Sequence, residues 1–223
     1  MSVNVKNYPE KDESPAVGTA RGGYLYVPQS RAGRWLWAST QAAWIWLVVR
    51  LFMGYEWINA GWPKLFGSEH SAWTGNGSAM KGYLQFASSK LSSGDHPAVA
   101  YGWYNSFLKW VVSSGTYHWL AWVIAIGEVA VGVALILGAF TGIAAFFGVV
   151  MNFNYMFAGS AGVNPLYAIL GIFLILAWRN AGYYGLDRWL LPLIGTPSHG
   201  GRVFRRRSTE RPLDADRDRE VAA

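Results

Sequence analysis

Residues 110–178 carry a single formal charge, Glu128, in a run of aliphatic, glycine and aromatic residues. A bilayer core of about 30 Å is crossed by about 20 apolar residues in a helix, so this run is long enough to cross repeatedly. Its breaks are legible. LAWVIAIGEVAVGVALILG (Leu120 to Gly138) leads into the turn AFTG, IAAFFGVVMNFNYMFAG (Ile143 to Gly159) ends at the break GSAGVNP, and LYAILGIFLILAW (Leu166 to Trp178) completes the run. Upstream, WLWASTQAAWIWLVVRLFMGYEWINAG (Trp35 to Gly61) has the length for a fourth span, interrupted by Arg50 and Glu56. Charges at that depth are costly against lipid and call for partners inside the bundle. The expected fold class is an all-α integral membrane four-helix bundle, with spans near 35–61, 118–138, 141–159 and 164–184. No apolar stretch precedes Trp35, which makes the first helix its own insertion signal.

The remaining charges orient the bundle. Of the 19 Lys and Arg, five precede the first span, nine lie at or after Arg179, and four lie between residues 61 and 117. The positive-inside rule then puts both termini in the cytoplasm and the loop 62–117 outside, in a multi-pass protein of the plasma membrane. Trp35, Trp37, Trp57, Trp62, Trp119, Trp122, Trp178 and Trp189 fall near span ends, as interfacial anchors do. Residues 1–34 are expected to be a mostly disordered cytoplasmic arm and 193–223 a basic, mixed-charge cytoplasmic tail, disordered from Arg205 onward. Within the outer loop, AMKGYLQFASSKL (Ala79 to Leu91) and AVAYGWYNSFLKWVV (Ala98 to Val112) predict short amphipathic helices on the outer face.

Composition narrows the chemistry. The chain has no Cys, which removes thiol redox chemistry, iron–sulfur clusters and Cys-ligated zinc. Its net charge of +6 resides at the two ends rather than on an aromatic-bearing basic face, which argues against nucleic acid. His70, His96 and His118 all belong to the outer loop region; neither a bis-His haem nor a flavin is expected, and a loop metal site is the weaker reading of these three.

The intramembrane polar residues are the candidate site. At 1.5 Å per residue, Arg50 lies about 16 Å and Glu128 about 15 Å below the outer ends of their spans, which predicts one buried ion pair. That pair either fixes helix register or takes part in binding and relay. Arg50, Gly54, Trp57 and Gly61 share one helix face, and Gly148, Asn152, Tyr155 and Gly159 repeat the spacing. These stripes describe either a close-packed seam or a cavity in the outer half. Asn164 before Pro165 predicts an N-cap at an outward helix start, where an oxyanion is a second reading.

Four ordered segments together resemble the DoxX superfamily, and within it the DoxD branch: RLFMGYEWINAGWPKLFG (Arg50 to Gly67), GEVAVGVALILGAFTG (Gly127 to Gly142), NFNYMFAGSAGVNPLY (Asn152 to Tyr167) and AWRNAGYYGLDRWLLP (Ala177 to Pro192). The resemblance covers roughly residues 40–192. It implies a membrane subunit of a thiosulfate:quinone oxidoreductase-type complex, passing electrons from thiosulfate, oxidised to tetrathionate, to a diffusible membrane quinone. By chemistry, Arg50, Glu128 and Lys64 are then the candidate catalytic residues, and Glu56, Trp57, Asn152, Tyr155 and Asn164 the candidate quinone or oxyanion contacts. A second redox subunit is the expected partner, a homo-oligomer is left open, and the competing expectation is a non-catalytic scaffold or assembly subunit.

Overall fold

The computed structural model describes residues 30–89 and 99–194 in full, and the backbone alone of residues 18–19, 25–26, 195–196 and 199–200. It is helical apart from two two-residue antiparallel pairings, Gly18–Thr19 with Leu25–Tyr26 and Gly195–Thr196 with His199–Gly200. The expectations for the rest of the terminal arms, and for His96, lie outside the described residues.

The first expected span is broken. Helix α1 (Arg31–Ala38) starts where the Ser30 hydroxyl accepts from the Gly33 amide, and it ends at Ser39. After a 3-10 turn (Thr40–Ala42), α2 (Ala43–Leu65) sets off at 65° to it. The bend has a physical cause in the pair Ser39 and Thr40: the Ser39 hydroxyl caps the new turn through the Gln41 amide. Trp46 Nε1 and Asn180 Nδ2 both donate to the Leu36 carbonyl, and Asn180 also to that of Ser39. The carbonyls left open at the end of α1 are thereby satisfied.

Helices α5 (Tyr117–Leu137), α6 (Thr141–Phe157) and α7 (Asn164–Leu176) pack with α2 in a ring, α2 on α5, α5 on α6, α6 on α7 and α7 on α2. By length and apolarity α5 can cross a membrane by itself, and the bent pair α1 and α2 meets the same criterion together. The fourth expected span ends early, at Leu176, and continues past Ala177 as a single turn, α8 (Trp178–Ala181). Helix α9 (Asp187–Ile194) follows.

The close-approach face expected on the first span packs on α5, through Gly132, which the spacing does not single out. A Cβ on Gly54 would stand 2.9 Å from the Gly132 carbonyl oxygen, one on Gly132 would stand 2.8 Å from that of Gly54, and one on Gly61 would stand 2.8 Å from Glu128 Cβ. Those contacts also fix the register. Gly61 lies level with Ala125 and Glu128, while Arg50 lies level with Gly138.

The loop 62–117, expected outside, forms a cap, and the end of the bundle that carries it is called the outer end below. Helices α3 (Ser78–Ser89) and α4 (Gly102–Ser113) pack against each other and against the first turns of α5. Met80, Leu84 and Ala87 from α3, Tyr104, Leu108 and Val111 from α4, and Ala121 from α5 make a second apolar core there. Both helices coincide with the two segments of broken periodicity in the sequence. Because the first turns of α5 rise into this cap, α5 stands higher relative to α2 than its apolar length implies.

Candidate functional site

The expected pairing of Arg50 with Glu128 does not form. The α2–α5 register puts them at opposite ends of the seam, eleven residues or about 16 Å of helix apart. Equal distance from the span ends gave equal depth only on the assumption that both helices end at one plane, and α5 continues upward into the cap instead. The residue that reaches Glu128 is Lys64, in the last turn of α2, with Nζ 2.8 Å and 2.7 Å from the two carboxylate oxygens. The Tyr155 hydroxyl of α6 donates to Oε1 of the same carboxylate at 2.8 Å. Glu128 is 1% exposed. A carboxylate buried so deeply is tolerable because an ammonium and a phenol meet it together.

Lys64 is positioned from above. Residues 71–75 form a π-helical turn, Ser71–Gly75, which brings the Trp73 ring over the ammonium, 4.5 Å from Nζ to the ring centroid. Thr74 closes the turn back onto α2, its hydroxyl donating to the Lys64 carbonyl at 2.7 Å with His70 Nδ1 at 2.8 Å. Single π turns inside helical segments are frequent at functional sites.

Above this triad lies a cavity of about 420 Å³, bounded by α3 and α4 of the cap and by the outer halves of α5 and α6. That volume is within the range of small-molecule sites. Its walls are mostly apolar, with Leu84, Leu108, Ile124 and Met151 among them, and its polar groups are few. Tyr104 donates to the Asn154 carbonyl at 3.1 Å. The Tyr83 hydroxyl is buried and has no hydrogen-bond acceptor among the described residues, although Ser160 is near enough to act on it. Burial holds both cap phenols protonated: the Tyr83 pKa is raised, and that of Tyr104 is pushed up to about 12, first by burial and then by Tyr83. The Lys64 and Glu128 charges cancel, so the cavity is apolar, electrically neutral and lined by phenols.

The other expected site residues separate. Arg50, 1% exposed, sits at the inner end of the seam, where Nη2 donates to the Tyr184 carbonyl at 3.0 Å and Nη1 reaches that of Ala181 at 3.5 Å. It also feels the charge of Asp187. Trp57 and Asn152 are buried in the bundle; Trp57 Nε1 and both amide atoms of Asn152 have no hydrogen-bond partner, and a Cβ on Gly148 would stand 3.2 Å from Trp57 Nε1. Glu56 interacts with the Tyr167 hydroxyl of α7, away from the cavity. Asn164 lines the cavity, but it is the first residue of α7 rather than its N-cap. Val163 occupies that position, and the Asn164 amide donates to the Ser160 carbonyl. The side-chain cap expected from Asn164 at that helix start therefore does not form.

The DoxX family profile matches residues 45–161, about half of the chain. The chain belongs to the DoxX family. No curated protein and no solved structure matches it. The matched stretch contains Lys64, Glu128 and Tyr155, both cap helices and the whole α2–α5 seam, and stops short of α7 and of Asp187. The matched stretch thus supplies all three phenols of the cavity, while Asn164 of its lining and Leu174, Ala177 and Ala181 of the bundle core lie beyond it.

Sequence reasoning missed the cap phenols Tyr83 and Tyr104, Trp73, Asn154, Asn180 and Asp187. Tyr83 lies beside the inward row Met80, Leu84 and Ala87 of α3, so a stricter helical reading places it at the edge of the buried face. Asp187 was signalled by being the one acid between Arg179 and Arg188. Neither signal identifies a partner.

Proposed function

We propose that this DoxX-family membrane protein is a four-span subunit, with both termini cytoplasmic, of a redox complex of the thiosulfate:quinone oxidoreductase type. In this reading it resembles the DoxD branch, and its cavity receives the head group of a diffusible quinone. The length argument for four spans is that α7 and α8, separated only by Ala177, together make 164–181, about 27 Å of helix at 1.5 Å per residue. Helix α6 is the shorter fourth member of the ring.

The observation that carries the redox reading is the Lys64–Glu128–Tyr155 triad beside an apolar cavity. Quinone reduction needs an apolar slot with proton-bearing groups at carbonyl height, and the triad offers a phenol tied to a paired carboxylate. Two thiosulfates joining through a new S–S bond release two electrons; the quinone takes these with two protons and leaves as quinol. Tyr155 delivers one of the two protons to the reduced ring oxygen facing it and recovers a proton from water by way of the Glu128 carboxylate, and water supplies the second proton to the far ring oxygen. The cavity also divides the labour. A dianion needs unspent positive charge, and the Lys64 charge is already matched by Glu128. Thiosulfate oxidation is therefore assigned to a partner subunit, and the described side chains supply the quinone end.

The test is thiosulfate-dependent reduction of a soluble quinone analogue by the detergent-solubilised protein with its copurifying partners. Tyr155→Phe is expected to lower turnover by about 100-fold, the usual scale of a lost proton-transfer group, in a protein that remains folded. Full turnover in Tyr155→Phe would sink the assignment. A complex that assembles but never reduces quinone would favour the scaffold reading, which the Arg50 cluster, a buried charge held by backbone carbonyls away from the phenol-lined cavity, supports on its own account.

A further inference from the structure

Three phenols surround the cavity and their hydroxyls are in different states. That of Tyr155 is bonded to Glu128 at 2.8 Å, and that of Tyr104 to the Asn154 carbonyl at 3.1 Å, with Asn154 Oδ1 at 3.4 Å. That of Tyr83 is buried and has no hydrogen-bond acceptor among the described residues. Its charge environment nonetheless reaches both of the others. A buried hydroxyl without a partner costs about 1–3 kcal/mol, and such groups are uncommon in native structures unless something satisfies them.

Resting on the quinone reading of the cavity, we infer that the Tyr83 hydroxyl is the cap's hydrogen-bond donor to a carbonyl oxygen of the bound ligand. The ligand class is then narrower than "apolar": a neutral, planar molecule with carbonyl acceptors, fixed by a donor from α3, since the Tyr155 proton of α6 is held by Glu128. Protonated Tyr83 donates one hydrogen bond; Ser160 acts on it in the sense that lowers its pKa, as a donor to the phenol oxygen does, so among the described residues none accepts the Tyr83 proton. Tyr104 has spent its proton within the protein, and Asn164 has spent one of its amide protons on the Ser160 carbonyl. Tyr83 is a positioning residue in this scheme, orienting the carbonyl whose partner oxygen faces the triad.

The experiment uses the full chain in detergent and decylubiquinone as the probe, with binding followed by calorimetry against empty micelles and the bound carbonyl stretch by infrared difference spectroscopy. Wild-type protein is expected to bind saturably, with a carbonyl band lowered by hydrogen bonding. Tyr83→Phe should weaken binding about tenfold, the scale of one hydrogen bond to a desolvated acceptor, and return that band toward its free position. It should keep or raise the Tm, because no internal bond is lost. Tyr104→Phe is the contrasting variant: it removes an existing bond and is expected to lower the Tm while leaving the carbonyl band in place. A Tyr83→Phe protein that binds with unchanged affinity and an unshifted band overturns the role of Tyr83 and leaves the quinone reading intact. Failure of wild-type protein to bind the analogue saturably overturns the quinone reading, and Tyr83 as its donor with it.

Discussion

The two ends of the α2–α5 seam each bury a charge that the sequence places inside a span, and they solve the problem in opposite ways. At the inner end, backbone surrounds Arg50. Gly138 (φ 64°) and Gly185 leave room for the guanidinium, and a Cβ on Gly138 would collide with Arg50 Nη1. The carbonyls of Tyr184 and Ala181 accept from it. Asp187 closes the arrangement by accepting from the Phe140 and Thr141 amides at the start of α6, where the helix dipole favours a carboxylate. At the outer end, Glu128 is matched by side chains alone, beside a cavity of about 420 Å³. Burial of charge is common to both, so burial does not distinguish a latch from a site. The distinction lies in what surrounds the charge, fixed backbone at one end and open volume with a free phenol at the other.

The largest effect that can break this comparison is at the latch. Arg50→Met leaves the Tyr184 and Ala181 carbonyls and Asp187 without their cation, and loss of one member of a buried charged group costs about 3–5 kcal/mol. We expect poor expression and a Tm lowered by several degrees, with Gly138→Ala reproducing the loss through both the collision and the left-handed φ. An Arg50→Met protein of normal stability that lost ligand binding would move Arg50 back into the functional site.

Next in size is the outer pair. Lys64→Met alone strands Glu128 and should destabilise on the same scale, whereas Lys64→Met with Glu128→Leu removes both charges and is expected to recover most of the Tm, since apolar replacement of a whole buried pair is often neutral or stabilising. The comparison sharpens if the double variant folds and fails to turn over quinone. It breaks if the double variant stays active, because the pair would then be a second latch.

Which of these features were legible follows from the kind of signal each leaves. Helical fold class, the cap helices and the glycine face of α2 come from periodicity and composition, which are local. Lys64 and Glu128 were each recognisable as candidates, but their meeting was not, because pairing depends on how far α5 rises past α2, and that offset is set by the close approach of Gly54 to Gly132 and of Gly61 to Glu128, across 60 or more residues of sequence. The break at Ser39 was hidden by the aromatic residues on either side, which keep the segment apolar while the backbone turns. Asp187 and Asn180 act on helix ends far away in sequence, 46 residues and 144 residues respectively. Long-range capping of this kind has no pattern to read.

The smallest expected effect separates the two phenols of the cap. Tyr104 keeps its proton to about pH 12, while tyrosines in an unfolded chain lose theirs near 10. Its contribution to stability is therefore complete below pH 10 and is lost as the pH rises through 12. The Tm of wild-type protein should fall over that window, and Tyr104→Phe should flatten the fall at the cost of about 1 kcal/mol at neutral pH from the lost bond to Asn154. Part of that cost is cushioned, because the Asn154 carbonyl also accepts from the Ala158 amide at 3.0 Å. Tyr83→Phe has no such bond to lose, so its neutral-pH Tm should stay level with wild type or exceed it. If both phenylalanine variants lowered the neutral-pH Tm equally, the Tyr83 hydroxyl would be bonded within the protein just as that of Tyr104 is, and the cavity would have no donor to spare for a ligand.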